Sequence, residues 1–375
     1  MIQVEIGDIL ASKRQTLTNT VNCVGVMGKG IALAFKERFP GMYDDYLQRC
    51  SAGSVRLGEP YLYREQGVPW VLNFPTKDHW RSVTRLEDVV RGLESLLRSY
   101  KVWGITSLAV PPLGCGNGQL DWKVVGPTLH RYLSKLDIPV DLYAPHGTPA
   151  EQLKLSFLSE AGAERDLSLP QVIPVFVEPS WVVIAATLER IAREPYRWPI
   201  HRVSFQKLVY FLTEAGLPTG LTFSKSDFGP FSPDLKRTLT KLVNNGLILE
   251  TRDGEAFEVF VGPTYVDAKK AYRSDLEKWR PLIEKYSDLF LRLNPRQAEI
   301  AATAVFASRA LKEGRPRPPD ELEVLDYVMN WKKGHRPSWD RGEVAEMIRD
   351  LNSLRFVTLS GSESLPVGRR FLLTA

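Results

Sequence analysis

Two short glycine-rich loops carry the clearest chemical signal in this sequence. They are Gly25-Val-Met-Gly28-Lys-Gly30, which runs into an apolar helical stretch, and Gly114-Cys-Gly116-Asn-Gly118. Glycines so spaced let successive backbone N–H groups converge on a ligand, and a helix N-terminus adds a field that favours phosphate oxygens. Neither loop is a Walker A motif, which needs glycine at 23 and serine or threonine at 30, where this chain has Cys23 and Gly30. Neither matches GxGxxG. Singly, each reads more readily as a plain tight turn than as a phosphate site; paired in one parallel α/β domain, they favour a phosphate-bearing ligand more. A third cluster, His79-Trp80-Arg81 with Arg85, places an indole among basic groups, which suits a flipped or single-stranded base and its phosphates. The plainer alternative is an indole packed at a domain edge with Arg81 solvated. The five histidines (79, 130, 146, 201, 335) show no metal-ligand spacing, so no metal is expected. Cys23 and Cys115 read as small packing residues beside the loops, because no activating partner is visible near either.

Positioning such loops requires a scaffold, and residues 1–155 supply one. Strands are expected at Val4–Leu10, Leu17–Cys23, Trp70–Phe74, Ile105–Val110 and Val140–Tyr143. Helices are expected from Gly28 to Phe39, after an apparent capping box at Thr84-Arg-Leu-Glu87, and over Asp121–Lys135. Strands interleaved with crossover-length helices imply an α/β fold with a mostly parallel sheet covered on both faces. Both glycine loops then stand at strand C-terminal ends, where such folds bind ligands.

The alternation stops near residue 156, and 156–180 is expected to be a linker. Beyond it, Phe205, Leu208, Val209 and Leu212 mark a helix ended by Gly216, and Ser232-Pro233 opens another that stops at Asn245-Gly246. LILETRDGEAFEVFV then reads as a hairpin around Asp253-Gly254. Helix, helix, hairpin is the winged-helix pattern. It recurs with helices near Arg296–Leu311, Glu321–Trp331 and Glu343–Leu354, followed by FVTL and RRFLL as wing strands. Two winged-helix-like units, about 181–265 and 290–375, are expected.

The 375 residues, 43% hydrophobic and 25% charged, suit two or three globular domains. Residues 1–155 hold 18 basic and 15 acidic residues and the remainder 31 and 29, so any nucleic-acid contact must come from local patches. Three cysteines argue against a disulfide scaffold. No run of 18 apolar residues exists, so no membrane contact is expected, and MIQVEIGDIL lacks the basic start of a secretory leader. A cytoplasmic protein is the expectation.

Four ordered motifs carry a family resemblance: Gly7-Asp8-Ile9; Asn19-Thr-Val-Asn22-Cys-Val-Gly25-Val-Met-Gly28-Lys-Gly30-Ile-Ala; Asn73-Phe-Pro-Thr-Lys77; and Pro111-Pro-Leu-Gly114-Cys-Gly116-Asn-Gly118. Together they resemble the ADP-ribose-binding macrodomains, specifically those of the DarG antitoxins of DarT–DarG pairs. In those pairs DarT attaches ADP-ribose to thymine in DNA and DarG removes it. The resemblance covers about residues 1–155 and implies a three-layer α/β/α macrodomain with a mixed, mostly parallel sheet. KLVYFLTEAG and FGPFSPDL resemble DarG C-terminal regions.

The resemblance implies roles. Asp8, with Ile9, would accept from the adenine amine, and Asn22 would meet the distal ribose, although an asparagine there also bonds readily to its own loop. Gly28, Lys29, Gly30 and Ile31, with Leu113, Gly114, Cys115, Gly116, Asn117 and Gly118, would cradle the diphosphate, with Thr76 at the ligand's edge. Lys77 would be catalytic, either stabilising charge on a departing base as a cation or attacking C1″ as a neutral nucleophile. The related human-type terminal ADP-ribose glycohydrolases carry an aspartate in the second loop to resolve a lysine–sugar adduct; here Gly118 stands at that place, and Asp78 and Asp121 are the nearby carboxylates.

No cofactor is expected. The implied function is an antitoxin that hydrolyses ADP-ribose from thymine in DNA, on a single-stranded or flipped base, and holds its cognate DarT-like toxin through residues 181–375. Lys236, Arg237 and Lys241 leave duplex DNA as another partner for the second half. The alternatives are a non-catalytic ADP-ribose reader and an ADP-ribose-sensing DNA-binding regulator.

Overall fold

The computed structural model describes residues 2–163, 177–334 and 338–366. The chain divides into two compact units, Met1–Ile173 and Pro174–Ala375.

Unit 1 follows the order β1 (Ile2–Glu5), β2 (Thr16–Asn22), α1 (Gly30–Arg38), α2 (Pro40–Ser51), β3 (Tyr61–Tyr63), β4 (Trp70–Lys77), α3 (Leu86–Ser99), β5 (Leu108–Val110), α4 (Trp122–Leu133), β6 (Val140–Tyr143) and α5 (Leu155–Ala163). Its six strands lie in the order β1-β6-β5-β2-β4-β3. All neighbours run parallel except β3, which pairs antiparallel with β4 at the edge. Strand alternation divides the core in two. Leu72, Phe74, Leu108, Val110, Val140 and Leu142 face one way and pack with Val89, Leu93, Leu96, Val125 and Leu129 of α3 and α4. Leu17, Val21, Val71 and Ala109 face the other way, against Phe35, Met42 and Tyr46 of α1 and α2. The result is the expected α/β/α layering.

Four local expectations are corrected. The first strand ends at Glu5 rather than Leu10, because Asp8 caps a one-turn 3₁₀ helix at Ile9–Ala11 and bends the chain. The third expected strand runs on through Pro75 to Lys77; the ladder with β2 skips a residue, setting Val21 opposite Pro75 and Asn22 opposite Lys77. Thr84 does not cap α3, whose N-cap is Arg85; it is buried beside Gly114 and Gly118. Part of the expected linker, residues 156–163, belongs to α5 (Leu155–Ala163), whose Leu158 is fully buried against α4 at Gly126. Residues 164–176 of that stretch lie outside the described residues. The sequence reading also passed over α2 and β3.

Unit 2 is mainly helical: α6 (Pro179–Ala192), α7 (Arg202–Glu214), β7 (Ser224–Ser226), β8 (Gly229–Phe231), α8 (Asp234–Asn244), β9 (Ile248–Asp253), β10 (Ala256–Val261), α9 (Tyr265–Ala271), α10 (Arg273–Lys278), α11 (Arg280–Arg292), α12 (Pro295–Lys312), α13 (Glu321–Trp331) and α14 (Arg341–Ser353). Helix α6 is apolar on nearly every side and buried from Ser180 to Leu188, as a central helix must be. The expected helices and the Asp253-Gly254 hairpin are present, but a second hairpin, β7–β8, interrupts α7 and α8. The expected second wing departs from the pattern. FVTL forms no strand, and the nearby bridge pairs Ser360 with Asp320; the segment RRFLL lies outside the described residues.

A buried charge cluster braces β7–β8. The Lys207 amine donates to the Pro230 carbonyl at 2.8 Å, and burial pushes it down to about 8. Lys332 pairs with Glu299 at 2.8 Å and also donates to the Asp227 carbonyl.

Candidate active site

The site is built at the C-terminal ends of adjacent parallel strands. Because β5, β2 and β4 are neighbours, the loops after them open on the same edge of the sheet. The Cys23 N–H donates to the Asp78 carbonyl at 3.2 Å, tying the exit of β2 to that of β4. Lys77, 8% exposed at the end of β4, reaches past β2 and donates its amine to the Asn117 carbonyl at 2.9 Å. A Cβ added to Gly30 would lie 3.3 Å from the Asn117 side-chain nitrogen. The structure thus brings together Lys77 and both glycine loops, which lie about 85 positions apart in sequence.

The first loop presents backbone rather than side chains. Gly28, Lys29 and Gly30 are exposed, Ile31 is partly buried, and α1 begins at Gly30 with no side-chain cap from Lys29. Gly25 and Gly30 have φ of 81° and 59°, a left-handed conformation that glycine adopts without strain. The leading N–H groups of α1 are therefore placed at the surface, next to Asn117, where an anion would meet them.

Asn22 makes the bonds to its own loop that its sequence position also allowed. Its Oδ1 accepts from the N–H groups of Val24 and Val26 at 3.0 and 3.3 Å and from the Tyr46 hydroxyl at 3.1 Å. Its Nδ2 donates to the Val26 carbonyl at 2.6 Å. Asn22 is the internal clamp of the first loop. Tyr46, which also donates to the Asn22 carbonyl at 2.8 Å, is the residue the sequence reading missed. It lies 24 positions downstream in α2, and no local pattern links the two.

The second loop is crowded from within. Leu113 is fully buried, Cys115 half-buried, and Gly116 and Asn117 are exposed. Gly114 has φ 79°, and the Leu120 N–H closes the loop onto the Gly114 carbonyl at 3.0 Å. A Cβ at Gly118 would lie 2.2 Å from the Gly114 carbonyl oxygen and 2.5 Å from the Thr84 hydroxyl. No side chain fits at 118, so this loop cannot supply a carboxylate there. Of the two nearby acids, Asp121 caps α4 by accepting from the Lys123 N–H, and Asp78 accepts from the His79 N–H at 2.7 Å. Burial pushes the thiols of Cys23 and Cys115 up to about 12, so both are protonated at neutral pH, unlike a poised nucleophile.

The remaining expected residues surround this centre. Thr76 is buried just before Lys77. Asp8 is exposed beyond β1, its Oδ1 accepting from the Leu10 N–H at 2.9 Å, with Ile9 buried beneath it. It stands at the far edge, with β6 between β1 and β5. His79 is buried, Trp80 is 48% exposed with the Arg81 guanidinium over its ring, and Arg85 pairs with Glu87 at 3.5 Å. No group of three or more metal-ligating side chains occurs among the described residues.

Comparison with known proteins agrees with this architecture. The Macro domain family matches residues 18–129. The DNA ADP-ribosyl glycohydrolase of Mycobacterium tuberculosis is 37% identical over 245 residues, which cover 64% of this chain and 66% of that protein. That of Thermus aquaticus is 34% identical over 248 residues, 64% of each. The matched stretch therefore spans slightly less than two thirds of those relatives. A DNA ADP-ribosyl transferase–DNA ADP-ribosyl glycohydrolase fusion protein of Thermosipho africanus is 41% identical over 175 residues, covering 41% of this chain and 45% of that one. The solved macrodomain of Mycobacterium tuberculosis DarG is 43% identical, covering 39% of this chain and 98% of that one with a TM-score of 0.38. Unit 1 of this chain is a macrodomain, of the kind that the DNA ADP-ribosyl glycohydrolases carry.

Proposed function

We propose that this chain hydrolyses ADP-ribose from ADP-ribosylated thymine in DNA, with Lys77 as the catalytic residue. The observation that carries this reading is the Lys77 amine, held 2.9 Å from the Asn117 carbonyl between both glycine loops. ADP-ribose would lie along the strand ends, its adenine at Asp8 and its diphosphate on the N–H groups of Gly28–Ile31 and Gly114–Asn117. That layout sets the distal ribose beside Lys77. Water adds at C1″ as the bond from C1″ to the base breaks; the electron pair goes to the base, which takes up the proton the water loses, and a cationic Lys77 stabilises the charge that develops on the way. The exclusion of any side chain at Gly118 favours this route over a lysine–sugar adduct, which would need a resolving carboxylate.

Unit 2 is proposed to hold the cognate ADP-ribosyltransferase. Support comes from the Thermosipho africanus relative, named as a transferase and a glycohydrolase in one chain. A cytoplasmic location is proposed with the DNA substrate; no helix among the described residues is long and apolar enough to cross a membrane.

The test is incubation with thymine-ADP-ribosylated single-stranded DNA, following ADP-ribose release. Lys77→Ala should cut turnover by roughly 10²–10³-fold while ADP-ribose still binds in calorimetry. Near-wild-type turnover by the variant would remove Lys77 from the mechanism. Pull-down of the co-expressed transferase by residues 177–375 tests the partner.

A further inference from the structure

Trp80 is unusual in its surroundings. Lys77, His79, Ser82 and Thr84 are all buried, yet the indole between them is 48% exposed. Its backbone is fixed. The His79 N–H donates to Asp78 Oδ1 at 2.7 Å, the Arg81 N–H to His79 Nδ1 at 3.2 Å, and the Ser82 N–H to the His79 carbonyl at 2.9 Å. On the indole, the Arg81 guanidinium carbon sits 4.5 Å from a ring centroid. Trp122, by contrast, is covered at 5% exposure. Here a rigid turn presents a flat aromatic surface, backed by a cation, three residues beyond Lys77. Three residues span at most roughly 11 Å of backbone, so the turn that carries the indole adjoins the end of β4 that carries Lys77.

We propose that Trp80 is a stacking platform for a nucleobase of single-stranded DNA, holding the strand so that its modified base reaches Lys77. This rests on the reading of the site as one that acts on modified DNA. A base within a duplex has both faces occupied by its neighbours, so an open indole is offered to an unpaired or flipped base. Any base has a π-face to stack, so the platform grips the strand without selecting its sequence.

The test uses the full chain and fluorescence anisotropy with a labelled, unmodified oligothymidylate, against a duplex of the same length. Trp80→Ala should weaken binding of the single strand by about 5- to 160-fold, and Trp80→Phe should restore most of it. The duplex should bind more weakly and be insensitive to residue 80. The proposal is overturned if the alanine variant binds the single strand like wild type, if it loses equally on both DNAs, or if wild type binds no single strand. Because binding needs no turnover, a wild-type protein that binds the strand but releases no ADP-ribose counts against the glycohydrolase reading alone.

Discussion

Substituting Gly118 with aspartate sets the packing of the second loop against the arrangement in human-type ADP-ribose glycohydrolases. A Cβ at 118 would stand 2.2 Å from the Gly114 carbonyl oxygen, whereas ordinary contact begins near 3.4 Å, so backbone must move by about 1.2 Å. Forcing atoms into a filled site costs about 1–3 kcal/mol. The upper end applies, because the obstruction is a carbonyl that the Leu120 N–H already holds. For a domain of about 160 residues, roughly 3 kcal/mol lowers Tm by about 6–12 °C. Asn117 precedes Gly118 and supplies the acceptor for Lys77, so the amine shifts with the loop; a misplacement of about 1 Å costs on the order of 100-fold in rate. Thermal unfolding of Gly118→Ala and Gly118→Asp, with ADP-ribose release from modified DNA, measures both effects. Both variants should melt earlier and turn over more slowly. An aspartate variant with wild-type Tm and equal or faster turnover would refute the reasoning.

Three further outcomes are expected. A fragment ending at 163 should be more stable than one ending at 155 by about 1.5–3 kcal/mol, the burial of Leu158; equal denaturant midpoints would show that α5 contributes nothing. Folded Cys23 and Cys115 titrate near 12 and an unfolded thiol near about 8.5. Their contribution to stability is therefore full below pH ~8.5 and declines as pH rises towards 12, a decline that Cys→Ser variants should flatten in pH-dependent melting. Glu299→Ala leaves Lys332 without its carboxylate beside a buried Lys207, and should destabilise unit 2 by about 3–5 kcal/mol in chemical denaturation; a wild-type midpoint would mean that the pair is solvated.

The parallel sheet was legible because its strands are short apolar runs between glycine loops, and Val140–Tyr143 was placed to the residue. Strand ends were not legible where one residue redirects the chain. Asp8 is a turn former in an apolar run, and Pro75 sits in a ladder that skips a residue, which no local pattern reveals. The glycine loops stood out because each is a contiguous motif, whereas Lys77 was singled out by the family resemblance, since by position alone it reads as a surface lysine. The Asn22–Tyr46 clamp escaped because it joins a strand to a helix through one hydroxyl, and the crowding at Gly118 because its neighbours are Gly114 and the distant Thr84. In unit 2, helix α6 was overlooked for want of amphipathic spacing, a consequence of being buried on nearly every side.

The pairing of β1 with β6 bears on how the protein is made. Ile2 lies opposite Val140, 138 positions later, so β1 docks only on β6, the last of the six strands in chain order. At about 5–20 residues per second, the ribosome needs roughly 7–28 s to bridge that interval. From residue 118 onward both glycine loops and Lys77 exist, while β5 still shows an unpaired edge and the turn bearing Asp8 has no strand to sit on. The turn bearing Asp8 is therefore set beside the rest of the candidate site only once β6 is made, and a chain that stops before Val140 carries both loops and Lys77 without that edge.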